Sequence, residues 1–328
     1  MDRRQVLAGL TLAPLMSAAS FGAHAQDAAW PTRTIKVVVP FPPGGQADLA
    51  ARPIADALQR RLNQSVIVEN RAGGGGKTGN AAVARSDPDG HTLLMTLSSF
   101  AVLPEADRLF ERPVAYEVGD LTPVARILAD PTLLAVPASA PWKTLQDFVD
   151  DAKARPGLIP YGSSGPYGTL HVAMEMFAAE AGIKLLHVPF TGAGPALNGL
   201  LQGSLQALAS APGVLKPQVD AGTLRVLANW GAERVPAFPE VRTFKELGYP
   251  NVEFYIWAGL FAPKATPQPI VESLRRQVKD IMADPAITKI FDNAGSPPAW
   301  QDSPDFKRFV ESDSARLIKA VAKIGKVG

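Results

Sequence analysis

Ile35, Val37, Val38 and Val39 form a short apolar, β-branched run that stops at Pro40, which predicts a buried strand. Phe41-Pro42-Pro43-Gly44-Gly45 follows. Two prolines stiffen that turn, and two glycines let backbone N–H groups approach a guest. Leu49, Ile54, Leu58 and Leu62 then share one apolar side, predicting an amphipathic helix to about residue 62, capped by Asp48 or by Gln46 just before it. Strand, glycine turn and helix N-terminus together can hold an anion with backbone dipoles. The stretch also reads as an ordinary βα turn.

The alternation continues along the chain. Val66-Ile67-Val68 predicts a second strand ending at Glu69-Asn70-Arg71, a glycine run occupies 73–76, and a helix is expected over 78–84. A third strand over 93–97 ends in Ser98-Ser99, completing the β-α-β-α-β order of an open parallel sheet. A looser, proline-punctuated segment runs through Pro123, with short strands expected at 124–127 and 133–136. A second series begins with a helix over 145–154 and a strand end at 160–164. A helix over 169–181 closes at Gly182, and a strand at 187–190 leads through a glycine turn into a helix over 196–201. Strands at 205–209 and 224–228 flank a helix at 214–219. Beyond Trp230, a strand at 254–261 precedes helices over 269–283 and 305–323. This order predicts two α/β lobes, with crossovers near 124–127 and 227–231. Lobe 1 is expected to comprise 26–125 plus 229–328, lobe 2 to comprise 126–228, and a hinged cleft to lie at the carboxyl ends of the strands.

At 328 residues the chain is long enough for two cores, and 33 basic residues against 31 acidic give no reason to expect a nucleic-acid partner. The absence of cysteine excludes thiol catalysis, disulfides and thiolate metal sites. Residues 1–25 read as a signal peptide: Arg3-Arg4 precede an apolar core from Val6 to Met16, and Ala23-His24-Ala25 is a small-x-small cleavage site. Cleavage would leave Gln26 first. The Arg-Arg pair resembles a twin-arginine signal, although Asp2 and a missing Phe depart from that pattern. No later stretch reaches the ~18 apolar residues of a membrane span. The mature protein is therefore expected in the periplasm.

Three catalytic motifs are approached and missed. Gly76-Lys77-Thr78 lacks the glycine five residues earlier that a phosphate loop needs, since Arg71 stands there. Gly74, Gly76 and Gly79 fit the dinucleotide fingerprint, but Ser98 and Ser99 occupy the place of its acidic residue. Gly162-Ser163-Ser164-Gly165-Pro166 looks like a nucleophile elbow whose last glycine has become Pro166. With histidines at 91, 171 and 187, an exported serine hydrolase using Ser164 stands as the alternative function. The four histidines show no metal-ligand spacing, and neither metal nor cofactor is expected.

One device is repeated instead. Pro42-Pro43-Gly44-Gly45, Ser163-Ser164-Gly165 with Gly168-Thr169, and Thr191-Gly192-Ala193-Gly194 are each a polar or glycine turn feeding a helix. Distributed over both lobes, they describe a cleft lined by N–H and hydroxyl donors, suited to a carboxylate. Read singly, each is also a plain tight loop.

The ordered series VVPFPPGGQAD, VIVENRAGGGG, PDGHTLLM, YGSSG, GTLHVAMEMF, HVPFTGAGPAL, AGTLRVLA and Trp257 to Pro263 resembles the tripartite tricarboxylate receptors, the Bug-type extracytoplasmic solute-binding proteins. The resemblance covers nearly all of the mature chain. It implies a type II periplasmic-binding-protein fold, a carboxylate gripped by loops of both lobes, often through ordered water, and no obligatory arginine. By position it assigns the ligand to Phe41, Pro42, Pro43, Gly44, Gly45 and Asp48, and to Ser98 and Ser99. The second lobe would contribute Ser163, Ser164, Gly165, Gly168, Thr169 and His171, then Thr191, Gly192 and Ala193. There are two departures. Pro166-Tyr167 stands where one residue is expected, so Tyr167 is expected in the cleft or over its mouth. The strand end at Ser210, itself expected at the ligand, lacks an expected Phe-Asp, so the ligand cannot be borrowed from aspartate, glutamate or citrate binders. The implied partners are a small organic acid and either membrane permease subunits or a sensor kinase, with the protein a monomer.

Overall fold

The computed structural model describes residues 30–326, so the expected signal peptide and its cleavage at Ala25-Gln26 lie outside the described residues. The first βαβαβ series is β1 (Ile35–Val39), α1 (Gln46–Leu62), β2 (Val66–Asn70), α2 (Lys77–Ala84) and β3 (Thr92–Leu97). β1 lies parallel between β2 and β3, with Val37 opposite both Val68 and Leu93. With α1 and α2 packed against this central strand, β1 is buried at every position but Lys36, which is why its run is mostly apolar. α3 (Leu103–Leu109) follows inside the segment expected to be loose; the short run Leu-Pro-Glu-Ala-Asp-Arg-Leu hides its periodicity.

β4 (Leu121–Pro131) is a single strand of 11 residues in this first sheet. The chain therefore leaves the sheet at Thr132, later than the 124–127 segment expected, because ladder pairing with a later strand continues to Pro131. The second series is β5 (Leu133–Pro137), α4 (Leu145–Ala154), β6 (Pro160–Ser163), α5 (Thr169–Ala181), β7 (Leu186–Pro189), α6 (Ala193–Leu201), β8 (Ala207–Ser210), α7 (Pro212–Asp220) and β9 (Leu224–Asn229). Its sheet runs β7-β6-β8-β5-β9. The chain rejoins the first sheet only at β10 (Tyr255–Pro263), beyond the expected 227–231, because the segment after β9 first stays against the second sheet: Phe244 N–H bonds Asn229, and Phe244 packs on Phe177 of α5. α8 (Gln268–Met282), α9 (Pro285–Asn293), β11 (Pro298–Asp302) and α10 (Ser303–Ile324) complete the chain, and the first sheet reads β11-β4-β10-β3-β1-β2.

Each sheet has its own set of aromatic rings. Phe100, Trp257, Phe261 and Phe306 fill the first, where Trp257 Nε1 donates to Asp313 Oδ2 at 2.7 Å. Phe148, Phe177, Trp230 and Phe244 fill the second, with Trp230 and Phe244 centroids 4.4 Å apart. Rings of this kind hide roughly 150–250 Å² apiece, and the two sets belong to one continuous buried cluster. Where the chain passes between them, Thr132, Trp230 and Phe254 lie abreast: Thr132 N–H donates to Phe254 O, Phe254 N–H to Trp230 O, and Trp230 N–H to Thr132 O.

Candidate functional site

The turn after β1 is built around Asp48. Gly44 N–H donates to Asp48 Oδ2 at 3.0 Å, Asn70 Nδ2 to Oδ1 at 3.0 Å, and Arg52 closes a two-pronged pair at 2.8 and 2.9 Å. Asn70 Nδ2 also donates to Phe41 O at 2.9 Å, tying the turn to β2. Burial opposes ionisation of Asp48, but the hydrogen bonds from Arg52, Gly44 and Asn70 outweigh it and hold the carboxyl below its usual range. Asp48 thus shapes the turn, its oxygens already engaged. It is not the helix cap, and neither is Gln46: the cap position belongs to Gly45, and the helix begins at Gln46.

Gly45 leads into a narrow cavity between the two sheets, with only about 10 Å³ of free volume. Phe41, Gly45, Ser164, Thr169, Ala193 and Ser210 line it, all six expected at a ligand, together with Gln46, Leu97, Leu170, Ala211 and Ile256. Four helices start on its wall. Gln46, Thr169 and Ala193 are the first residues of α1, α5 and α6, and Ala211 immediately precedes α7. Their cap residues are Gly45, Gly168, Gly192 and Ala211, none with a side-chain oxygen. In α7, however, Pro212 has no N–H and the Gly213 N–H donates to Ser296 Oγ at 3.2 Å, so only α1, α5 and α6 lack a side-chain acceptor in the first turn. No charged side chain lines the cavity.

The same wall carries buried polar atoms in want of partners. Gln46 Oε1, Ser164 Oγ, Thr169 Oγ1 and Ser210 Oγ each lack a hydrogen bond. Leaving such a group unsatisfied costs about 1–3 kcal/mol, so four around one cavity indicate a polar guest. Larger hollows of about 460 and 700 Å³ lie elsewhere on the surface, yet none of their lining residues has a buried polar atom without a partner.

Other expected residues sit close by without lining this cavity. Pro42 and Pro43 meet the α6 turn: a methyl placed on Gly192 would lie 2.6 Å from Pro42 Cδ, and one on Gly194 3.0 Å from Pro43 O. Gly165 and Gly168 pack on Gly75 of the first lobe. Ser99 Oγ donates to Gly75 O at 3.2 Å, Ser98 is buried with its Oγ unpartnered, and Gly44 and Thr191 are exposed at the rim. Tyr167 is neither in the cavity nor over an open mouth. It is 2 % exposed at φ 57°, its ring edge-on to Phe110 and its hydroxyl donating to Gly325 O at 2.6 Å. The extra residue in this loop therefore ties the second lobe to the end of α10.

The histidines lie behind the second-lobe loop. His171 Nδ1 accepts from Tyr167 N–H at 3.1 Å, and its ring centre is 4.2 Å from that of His187. Burial drives His171 down to about 3, with His187 adding to the shift, and burial brings His187 down to about 4, so both rings are neutral. His187 Nε2 lies 2.6 Å from Oγ of Ser163, not Ser164, and Ser163 Oγ also accepts from Gly165 N–H at 3.0 Å. Ser164 has no base beside it. The elbow resemblance ends there, because proton removal needs a base within hydrogen-bond reach.

Gln46, Leu97, Leu170, Ala211 and Ile256 were missing from the expected site. Gln46 stands in the PGGQAD run and was expected only as a cap, whereas Leu97 and Ile256 reach the cavity because β3 and β10 end beside it, which only the topology brings about.

A family model described as the tripartite tricarboxylate transporter family receptor matches residues 50–326. Protein BugT of Bordetella pertussis (strain Tohama I) is 34% identical, covering 90% of this chain and 90% of its own. The structure titled R. palustris Rpa4515 with adipate superposes with a TM-score of 0.84 at 33% identity, covering 90% of this chain and 98% of that one. MatC from Rhodopseudomonas palustris with bound malate superposes at 0.82 and 28% identity, covering 89% and 99%.

Proposed function

The chain belongs to the tripartite tricarboxylate transporter receptor family, and on that premise we propose that it binds a small carboxylate in the cavity between its lobes. The observation that carries this reading is the convergence of four helix N-termini, three of them with no side-chain acceptor in the first turn, on a cavity whose hydroxyls lack partners. Each N-terminus favours an anion by ~0.3–1 kcal/mol when exposed and up to ~2 when partly buried. Four of them, with three hydroxyl donors, approach the ~8 kcal/mol of micromolar binding without an arginine. The adipate and malate in the titles of the two similar structures are carboxylates of the size class proposed here. The loops touch across the cavity, so a ligand of that size enters by parting them and is held by their return. We further propose that the protein works in the periplasm and presents its loaded form to the membrane subunits of a transporter or to a sensor. Among the described residues no helix is long and apolar enough to cross a membrane.

A thermal-shift screen of residues 26–328 against mono-, di- and tricarboxylates, with sugars and amides as controls, tests the reading. At 100 times its dissociation constant a ligand adds ~2.7 kcal/mol and raises the melting temperature visibly. A carboxylate recovered chemically unchanged is the expected result. No shift with any carboxylate, or a ligand returned cleaved, refutes it.

A further inference from the structure

Gln46 is the one polar side chain of the cavity whose orientation is set from outside it. Its Nε2 donates to Asp130 Oδ2 at the end of β4, while its Oε1 is buried without a partner. A carboxylate only accepts hydrogen bonds, so an ionised Asp130 draws the NH₂ end of the amide to itself and leaves the carbonyl oxygen to the cavity. The hydroxyls of Ser164, Thr169 and Ser210 can each rotate to donate or to accept, but an amide held at one end cannot.

We infer that Gln46, held by Asp130, is a specificity-determining residue that asks the ligand for a hydrogen-bond donor, a hydroxyl or an amide N–H, in addition to its carboxylate. This rests on the solute-binding reading above. A ligand offering only carboxylate oxygens at that wall sets acceptor against acceptor; one carrying a hydroxyl or amide there satisfies the buried oxygen.

The surroundings of Asp130 make the preference depend on pH. It is 2 % exposed and faces Gln46 of α1 and Ser296 of the turn between α9 and β11, and its register neighbour on β10 is Ile256. On its outer side it shares a hollow with Tyr255, Glu233 and Arg234, where Arg234 is paired with Glu246 and the Tyr255 hydroxyl accepts from Ala232 N–H. No charged group offsets its burial, and the carboxyl is raised to about 7. Once protonated, Asp130 can donate to Gln46 Oε1. The amide then turns over and offers Nε2 to the cavity, a donor suited to a carboxylate.

The test is calorimetric titration of residues 26–328 with succinate, malate, adipate and adipic acid monoamide, at about pH 6 and pH 8. At pH 8 malate is expected to bind at least ~10-fold tighter than succinate, or the monoamide than adipate, as one satisfied buried acceptor provides. At pH 6 that ratio is expected to shrink by at least ~3-fold, and in Asp130→Asn it is expected to be equal at both values. A ratio in the native protein that does not change with pH, or one that still changes in Asp130→Asn, overturns the inference while leaving carboxylate binding intact. Binding of none of the four, together with silence across the whole carboxylate screen, overturns the inference and the reading it rests on; where the screen finds another carboxylate, that ligand and its analogue lacking the donor take the place of the pair. A carbon-13 carboxyl titration of the unliganded protein, with Asp130 assigned from the variant, is expected to give a midpoint near 7. A midpoint in the ordinary carboxylate range overturns the inference without any ligand.

Discussion

Replacing Gly192 by alanine tests whether contact between the two lobes' loops is part of binding. Gly192 lies at φ 172°, an extended conformation open to any residue, so alanine introduces no backbone strain. The added Cβ would stand 2.6 Å from Cδ and 3.2 Å from Cγ of Pro42, on the opposite loop. Carbon atoms rest at about 3.5 Å or more, so the loops must part by roughly 0.9 Å. Overpacking on this scale costs ~1–3 kcal/mol, and here it falls only on the arrangement in which the loops touch. If binding requires that arrangement, the dissociation constant rises about 5- to 150-fold. Calorimetric titration with the ligand found in the screen measures it, and Gly119→Ala, whose added Cβ meets nothing within 4 Å, is the control. The unliganded Gly192→Ala protein should melt close to the native one, because the lobes can separate without unfolding. Native affinity in the variant would refute the reasoning, and so would a melting loss as large as the binding loss, since the clash would then lie within a lobe.

Ser164→Ala removes a buried hydroxyl that has no partner, so the unliganded protein should be as stable as before or slightly more so, while affinity falls about 10-fold. Melting and titration on one preparation check both, and a destabilised variant with native affinity would contradict the assignment. The two histidines predict acid sensitivity. Unfolded histidines charge below about 6.5, so the stability these buried neutral rings contribute is complete above that pH and is lost as pH falls through about 4 and then 3. Asp130 acts in the opposite sense: with its carboxyl raised to about 7, its contribution is present below pH 3.8 and is lost as pH rises through 7. Urea titrations of the native protein and Asp130→Asn between pH 3 and 8 separate the two, for the variant should lose the alkaline decline and keep the acidic one. An acidic decline missing from both would refute the histidine account.

Much of this architecture is legible in local pattern. β1 and β3 show as mostly apolar runs because helices pack over these inner strands, and α5 ends at Gly182, whose φ of 62° suits a left-handed cap. α9 was missed although its start was readable: Asp284 before Pro285 is a cap followed by a proline at the first helical position, and Asp284 Oδ1 accepts from Ala286 N–H at 2.8 Å. β11 offers no such sign, since an edge strand with every residue half-buried has no alternation to read. The length of β4 was masked by Pro123 and Arg126, which break its apolar run. At the site, Gly45, Ser164, Thr169 and Ala193 were recognisable because turns feeding helices leave a local mark. Ile256 and the Gln46–Asp130 pair were not, because residues 84 positions apart meet only through sheet order.

Thr132, Trp230 and Phe254, hydrogen-bonded side by side where the chain passes between its sheets, make a three-ply strap in place of a single thread. Such a strap is expected to let the halves bend about it as a single hinge. A single spectroscopic ruler spanning the mouth, from the Pro43 turn to the Thr191 turn, is then enough to follow the whole movement in time.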